Sequence, residues 1–183
     1  SAKAVTCFNE ANKLSSTIGF KRGTAITTKN LGIVYEYAGN YKKALESYEA
    51  ALLLFKEIKD RTGLTESYNN FGIIYYLQGI FDKALYYYLE AEKTFQKKSN
   101  PAFYSNILNN IGLIYEKQMQ YDKALDYLME ALKIREQNGL QNKLGASYSN
   151  IGMVYQAKGL NLLALDYHVK AKKNRENYND LKG

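Results

Sequence analysis

Side chains able to do acid–base, nucleophilic or metal chemistry are scarce in this chain. There is one histidine, His168, and one cysteine, Cys7. A serine or cysteine triad needs a histidine beside its nucleophile and a third group to orient it. A structural zinc site needs four ligands drawn mainly from cysteine and histidine. Neither set can be assembled here. A lone cysteine forms no internal disulfide, so Cys7 reads as a packed or surface thiol. His168 stands 40 residues after Leu128 and 80 after Tyr88, in a run of packing positions. The carboxylates Glu36, Asp82, Glu116, Asp122, Asp126 and Asp166 remain, but they recur at repeating columns, as a solvated ladder does. Glycines fall inside helical runs or tight turns, so no phosphate-cradling loop is present. The chain reads as non-catalytic, with no cofactor and no metal site.

A binding chemistry is more legible. Asn30, Asn70, Asn110 and Asn150 are spaced 40 residues apart. An asparagine amide offers two donors and an acceptor, which suits the N–H and C=O of an extended peptide. Lys29, Asn69, Asn109 and Ser149 stand beside them, and Ile33, Ile73, Leu113 and Met153 follow three residues later. Tyr37 extends the first of these faces by one more turn. Positions spaced i, i+4, i+7 share one face of a helix. With neighbouring helices about 10 Å apart and an extended chain rising about 3.3 Å per residue, one asparagine meets about every third ligand residue. A second use of the column is open: the same amides can tie successive helices together.

The elements that position this column follow from the same period. Gly32, Gly72, Gly112 and Gly152 align, as do Tyr35, Tyr75, Tyr115 and Tyr155. Ala44, Ala84, Ala124 and Ala164 form another column, and Ala51, Ala91, Ala131 and Ala171 a fifth. A fixed period of this size marks stacked supersecondary units. Ile111, Ile114 and Tyr115, then Leu125, Leu128, Met129 and Leu132, recur at helical spacing. A short break separates the two runs, and its counterparts carry Gly39, Gly79 and Gly159, residues suited to a left-handed helix end. Each unit is therefore two helices of about four turns joined by a tight turn. A helix-interior glycine costs about 1 kcal/mol against alanine, so the Gly112 column predicts a close approach by a neighbouring helix.

The pattern resembles the tetratricopeptide repeat. The matching residues are Leu31-Gly32, Tyr35, Ala44, Tyr48 and Ala51, then Phe71-Gly72, Tyr75, Ala84, Tyr88 and Ala91. Ile111-Gly112, Tyr115, Ala124 and Ala131 continue it, as do Ile151-Gly152, Tyr155, Ala164 and Ala171. Two features depart from the family pattern: the period is 40 rather than 34, and the proline near the end of the second helix is missing. Longer repeats of this kind are similar to those of peptide-sensing bacterial regulators and kinesin light chains. The resemblance implies an all-α solenoid of antiparallel helix hairpins, about 4.5 repeats long. It also implies a concave groove lined by the first helices, where asparagines at this place hold peptide backbones. The expected function is a protein–protein interaction scaffold binding an extended peptide or protein segment. The alternative is a sensory or dimerisation module of a bacterial sensor kinase or transcription regulator. The family's clamp for C-terminal carboxylates fits poorly, because Glu66, Asn69, Asn106 and Asn109 stand where later basic residues belong.

One domain over residues 1–183 is expected. Residues 3–16 form the second helix of a truncated repeat, and full repeats occupy 24–56, 63–97, 101–137 and 143–176. Ser99-Asn100-Pro101 reads as a helix start, with Asn100 at the cap and Pro101 in the first turn. No apolar run approaches the length of a membrane span. The net charge is +7, yet both ends carry four net positive charges and the middle is nearly neutral. A nucleic-acid surface needs a continuous basic face, so that partner is disfavoured. The final repeat has Asn161-Leu162-Leu163 where an earlier one has Tyr121-Asp122-Lys123. Terminal repeats ordinarily present a polar outer face. The end around Leu160, Leu162 and Leu163 is therefore expected to meet a following domain or a second copy, the chain being read as a fragment. A cytoplasmic location is favoured, with the bacterial periplasm open if an upstream signal is removed.

Overall fold

The computed structural model describes residues 2–96 and 100–180. Among them are nine α-helices and no strand. Packing groups them into two compact units, residues 1–96 and 97–183. The first contains α1 (Ala2–Thr17), α2 (Lys21–Tyr37), α3 (Tyr41–Glu57), α4 (Arg61–Leu77) and α5 (Phe81–Thr94). The second contains α6 (Pro101–Lys117), α7 (Tyr121–Gln137), α8 (Gln141–Ala157) and α9 (Asn161–Asp180). Within each unit every helix packs on the next, and α2 also touches α4 as α6 touches α8. The array is the all-α repeat architecture expected from the 40-residue period. Residue 97, the expected end of the second full repeat, and Ser99 lie outside the described residues.

Local chemistry sets the helix ends. Asn40, Asp60 and Asn100 accept hydrogen bonds from the backbone N–H of Lys43, Gly63 and Phe103, at 3.0–3.2 Å. Each satisfies one of the orphan donors of a first turn. Pro101 follows Asn100 in the first turn of α6, where its missing N–H costs nothing. Each hairpin turn holds one residue with φ between 59° and 75°: Gly39, Gly79, Met119 and Gly159. Met119 is the one without glycine's freedom, and its side chain is exposed.

Inside each hairpin the glycine column meets a large side chain of the second helix. A Cβ on Gly32 would lie 2.5 Å from the Tyr48 ring, and one on Gly72 2.6 Å from Tyr88. On Gly112 it would lie 2.7 Å from Leu128, and on Gly152 2.8 Å from His168. So His168 is a packing residue in the column of Tyr48, Tyr88 and Leu128. The buried Ala44, Ala84, Ala124 and Ala164 lie one turn earlier on the second helices. Aromatic residues fill the neighbouring space in the first unit: Phe71 and Tyr75 stack on Tyr87 with centroids 4.8 and 5.4 Å apart. In the second unit Leu128, Leu132, Leu144, Ile151 and Val154 form the core. Each fully buried side chain of this size contributes roughly 1.5–3 kcal/mol.

The buried tyrosines keep their protons. Burial, with a 2.6 Å hydrogen bond to Glu36 and its charge, pushes the Tyr48 hydroxyl far above the usual tyrosine range. Burial also raises Tyr88. Tyr148 is pushed up to about 12 by burial, then by its 2.9 Å bond to Glu136.

Three outcomes are expected. Gly72→Ala gains helix propensity of about 1 kcal/mol but overpacks Tyr88, so urea unfolding should show a net loss of about 1–2 kcal/mol. Met119→Gly removes the left-handed strain at no packing cost and should raise stability by about 1 kcal/mol. Tyrosines in the unfolded chain release protons near pH 10, before these folded ones do. Stability should therefore hold below pH 10 and decline as pH rises through about 12. Unfolding followed across this window by absorbance at 295 nm checks the sign, and a stability that rises with pH contradicts it.

Candidate peptide-binding face

The asparagine column lies on the first helix of each full hairpin. Asn30 and Asn70 stand on α2 and α4 of the first unit, and Asn110 and Asn150 on α6 and α8 of the second. All four are half-buried. They do not behave alike. Asn150 donates from Nδ2 to Asn109 Oδ1 at 2.9 Å, tying α8 to α6. The amides of Asn30, Asn70 and Asn110 make no hydrogen bond to another residue among those described. A half-buried amide without a protein partner is poised either for water or for a ligand backbone.

The flanking residues split in the same way. Asn69 is 7% exposed, and its Oδ1 has no partner. Lys29 on α2 forms an ion pair with Glu66 on α4, so its charge is already balanced within the first unit. Ile33, Ile73 and Leu113 are half-buried, and Met153 is exposed. Tyr37 projects almost wholly into solvent, 87% exposed. In the first unit the face thus carries three unpaired amides, Asn30, Asn69 and Asn70, with apolar flanks and a neutralised lysine. In the second it carries one unpaired amide, Asn110, and one amide pair.

Periodicity singles out neither Arg135 nor Lys143, yet both bond Asn106, one turn before Asn110 on α6. Arg135, on the last turn of α7, is 4% exposed. Its Nε and Nη1 donate to Ser105 Oγ at 3.2 Å and Ser147 Oγ at 2.6 Å. Its Nη2 donates to Asn106 Oδ1 at 3.1 Å, and Lys143 Nζ donates to the same oxygen at 3.3 Å. The sequence signal is a broken column: Phe55 and Phe95 are followed by Arg135, and Gly63 becomes Lys143 eighty residues later.

The remaining candidates take simpler places. Cys7 is exposed. Glu36 bonds Tyr48, while Asp122 pairs with Lys158, Glu116 with Lys117, and Asp166 with Lys170. No group of three or more histidine, cysteine or carboxylate side chains gathers for a metal among the described residues. No helix among them is long and apolar enough to cross a membrane. Leu160, Leu162 and Leu163 are exposed at the start of α9, with Leu165 and Val169 beyond them.

Known proteins share this architecture. BtubC (BKLC) from P. vanneervenii superposes with a TM-score of 0.81 at 28% identity, covering 94% of this chain and 74% of that one. MamA does so at 0.68 and 22% identity, covering 92% and 96%. Aspartyl phosphate phosphatase F from Bacillus subtilis gives 0.79 at 19% identity, covering 97% of this chain and 50% of that one. No curated protein sequence matches the chain. The tetratricopeptide repeat model matches residues 2–57, 23–97 and 103–177. With this coverage, and with four glycine-spaced hairpins, the chain belongs to the tetratricopeptide repeat family.

Proposed function

We propose that this chain is a non-catalytic scaffold that binds an extended peptide or protein segment along its first-helix faces. One observation carries the reading: the amides of Asn30, Asn70 and Asn110 are half-buried and unpaired, while Asn150 is engaged by Asn109. If the column served folding alone, every member would have a bond of the Asn150 kind. Three unpaired amides are free to bond a ligand backbone, at about 1 kcal/mol net for each hydrogen bond. Ile33 and Ile73 in the first unit, and Leu113 in the second, flank these amides with apolar surface for alternate ligand side chains.

Peptide-display selection on the immobilised protein tests this. Asn70→Ala/Asn110→Ala removes one unpaired amide from each unit without touching the core. Binding of enriched peptides should weaken by about 30-fold, since two such bonds sum to about 2 kcal/mol. Circular dichroism should show the variant folded. Equal binding by wild type and variant, or no enrichment on the wild type, overturns the reading.

A further inference from the structure

The second unit holds a pair of cations with no carboxylate paired to them among the described residues. Arg135 of α7 and Lys143 of α8 both donate to one neutral acceptor, Asn106 Oδ1 of α6. Among the described residues neither forms an ion pair with a carboxylate. The first unit holds a carboxylate in the Asn106 column. There Glu66, which stands 40 residues before Asn106, pairs with Lys29. It also avoids burying charge at the corresponding place: Phe55 sits against Gly63, where a Cβ would come within 2.2 Å of the ring. The second unit has replaced aromatic-on-glycine by cation beside cation.

That arrangement is costly. Burial lowers the Arg135 pKa, and burial followed by the charge of Arg135 lowers that of Lys143. A buried charge without a counter-charge is destabilising. Lys143 is half-exposed, so an anion can reach its ammonium while Arg135 supplies field from beneath. A third cation, Arg175, reaches Ser149 Oγ on α8 at 2.7 Å. Asn110 and Leu113 follow Asn106 at i+4 and i+7 along α6. A nucleic acid needs several phosphate contacts in a row, and of the two cations bonded to Asn106 only Lys143 is open to solvent.

We propose that the second unit holds a carboxylate receptor, formed by Lys143 and Asn106 over buried Arg135, which selects an acidic side chain in the bound segment. The proposal rests on the reading of the first-helix face as a peptide site, and it names the chemistry of the partner there. The carboxylate accepts from Lys143 Nζ and from Asn106 Nδ2, and Asn106 Oδ1 stays with Arg135. Charge-assisted bonds of this kind are about twice as strong as neutral ones.

The test uses fluorescein-labelled octaglutamate and octaglutamine peptides, with anisotropy as the readout. Wild type should prefer octaglutamate by about tenfold or more. Asn106→Glu supplies internally the carboxylate that Glu66 supplies in the first unit, so it should abolish this preference and raise the melting temperature. Arg135→Met should reduce the preference while leaving the melting temperature unchanged or higher, since a buried charge is removed. Lys172→Met, an exposed lysine of α9, matches the charge change of Asn106→Glu and should retain the preference. Equal loss in Lys172→Met overturns the receptor, because general charge then explains binding. An oligothymidine octamer that competes more strongly than octaglutamate overturns it in favour of nucleic acid. The two readings separate cleanly. If Asn70→Ala/Asn110→Ala loses selected peptides while Asn106→Glu keeps the glutamate preference, the peptide face stands and the receptor falls. If selection yields nothing but octaglutamate binds, is lost in Asn106→Glu and is reduced in Arg135→Met, the receptor stands and the peptide face falls.

Discussion

Each hairpin depends on one close approach, the backbone of a first helix lying against a large side chain of the second. Gly32, Gly72, Gly112 and Gly152 leave the space, and Tyr48, Tyr88, Leu128 and His168 occupy it. A Cβ at any of the four would fall inside 3.0 Å of that side chain. The loss of helix propensity at glycine is about 1 kcal/mol, and burying a large side chain against the gap outweighs it. The alanine columns serve the same end on the opposite helix. This approach fixes which face of the first helix is packed, and therefore which face is left over. The asparagine column occupies the remainder.

The residues around this contact vary more than the contact does. Three hairpins place a lysine over the first-helix tyrosine: Lys43 on Tyr35, Lys83 on Tyr75 and Lys123 on Tyr115, at 5.2–5.4 Å. In the fourth, Leu163 stands in the lysine column beyond Tyr155. A cation over a ring at a solvent-accessible site contributes about 0.5–1 kcal/mol, so its loss is tolerable. What changes is the surface, because an apolar leucine now stands where a charge kept the end polar. Similarly, Arg135 replaces a core phenylalanine of the earlier repeats, and polarity enters a site that is otherwise packed. The repeat scaffold absorbs both changes since each hairpin is stabilised mainly by its own contacts and its neighbours'.

The two units present different chemistry on a common frame. In the first, Lys29 and Glu66 cancel across α2 and α4, and the amides of Asn30, Asn69 and Asn70 stay unpaired. In the second, Asn109 and Asn150 bond each other, and the cations at Arg135 and Lys143 face an amide rather than an acid. An array built from one repeated unit thus varies its surface chemistry through substitutions at a few columns, while the hairpin geometry stays constant.

The helices, their order and their turns were legible in the amino-acid sequence because they rest on local rules. Apolar spacing, glycine at a left-handed turn and Asn100 before Pro101 each act over a few residues, and a 40-residue period multiplies the signal. The face carrying the asparagines was legible for the same reason, as a matter of helical phase. Which of those asparagines are engaged was not. Asn150 and Asn109 are 41 residues apart, and their bond depends on the sideways distance between α6 and α8. The cancellation of Lys29 by Glu66 and the burial of Arg135 among Ser105, Asn106 and Ser147 are likewise set by packing between helices. Periodicity assigns each residue to a face of its own helix; only tertiary structure determines what stands opposite, and hydrogen bonding and charge compensation depend on that opposing group.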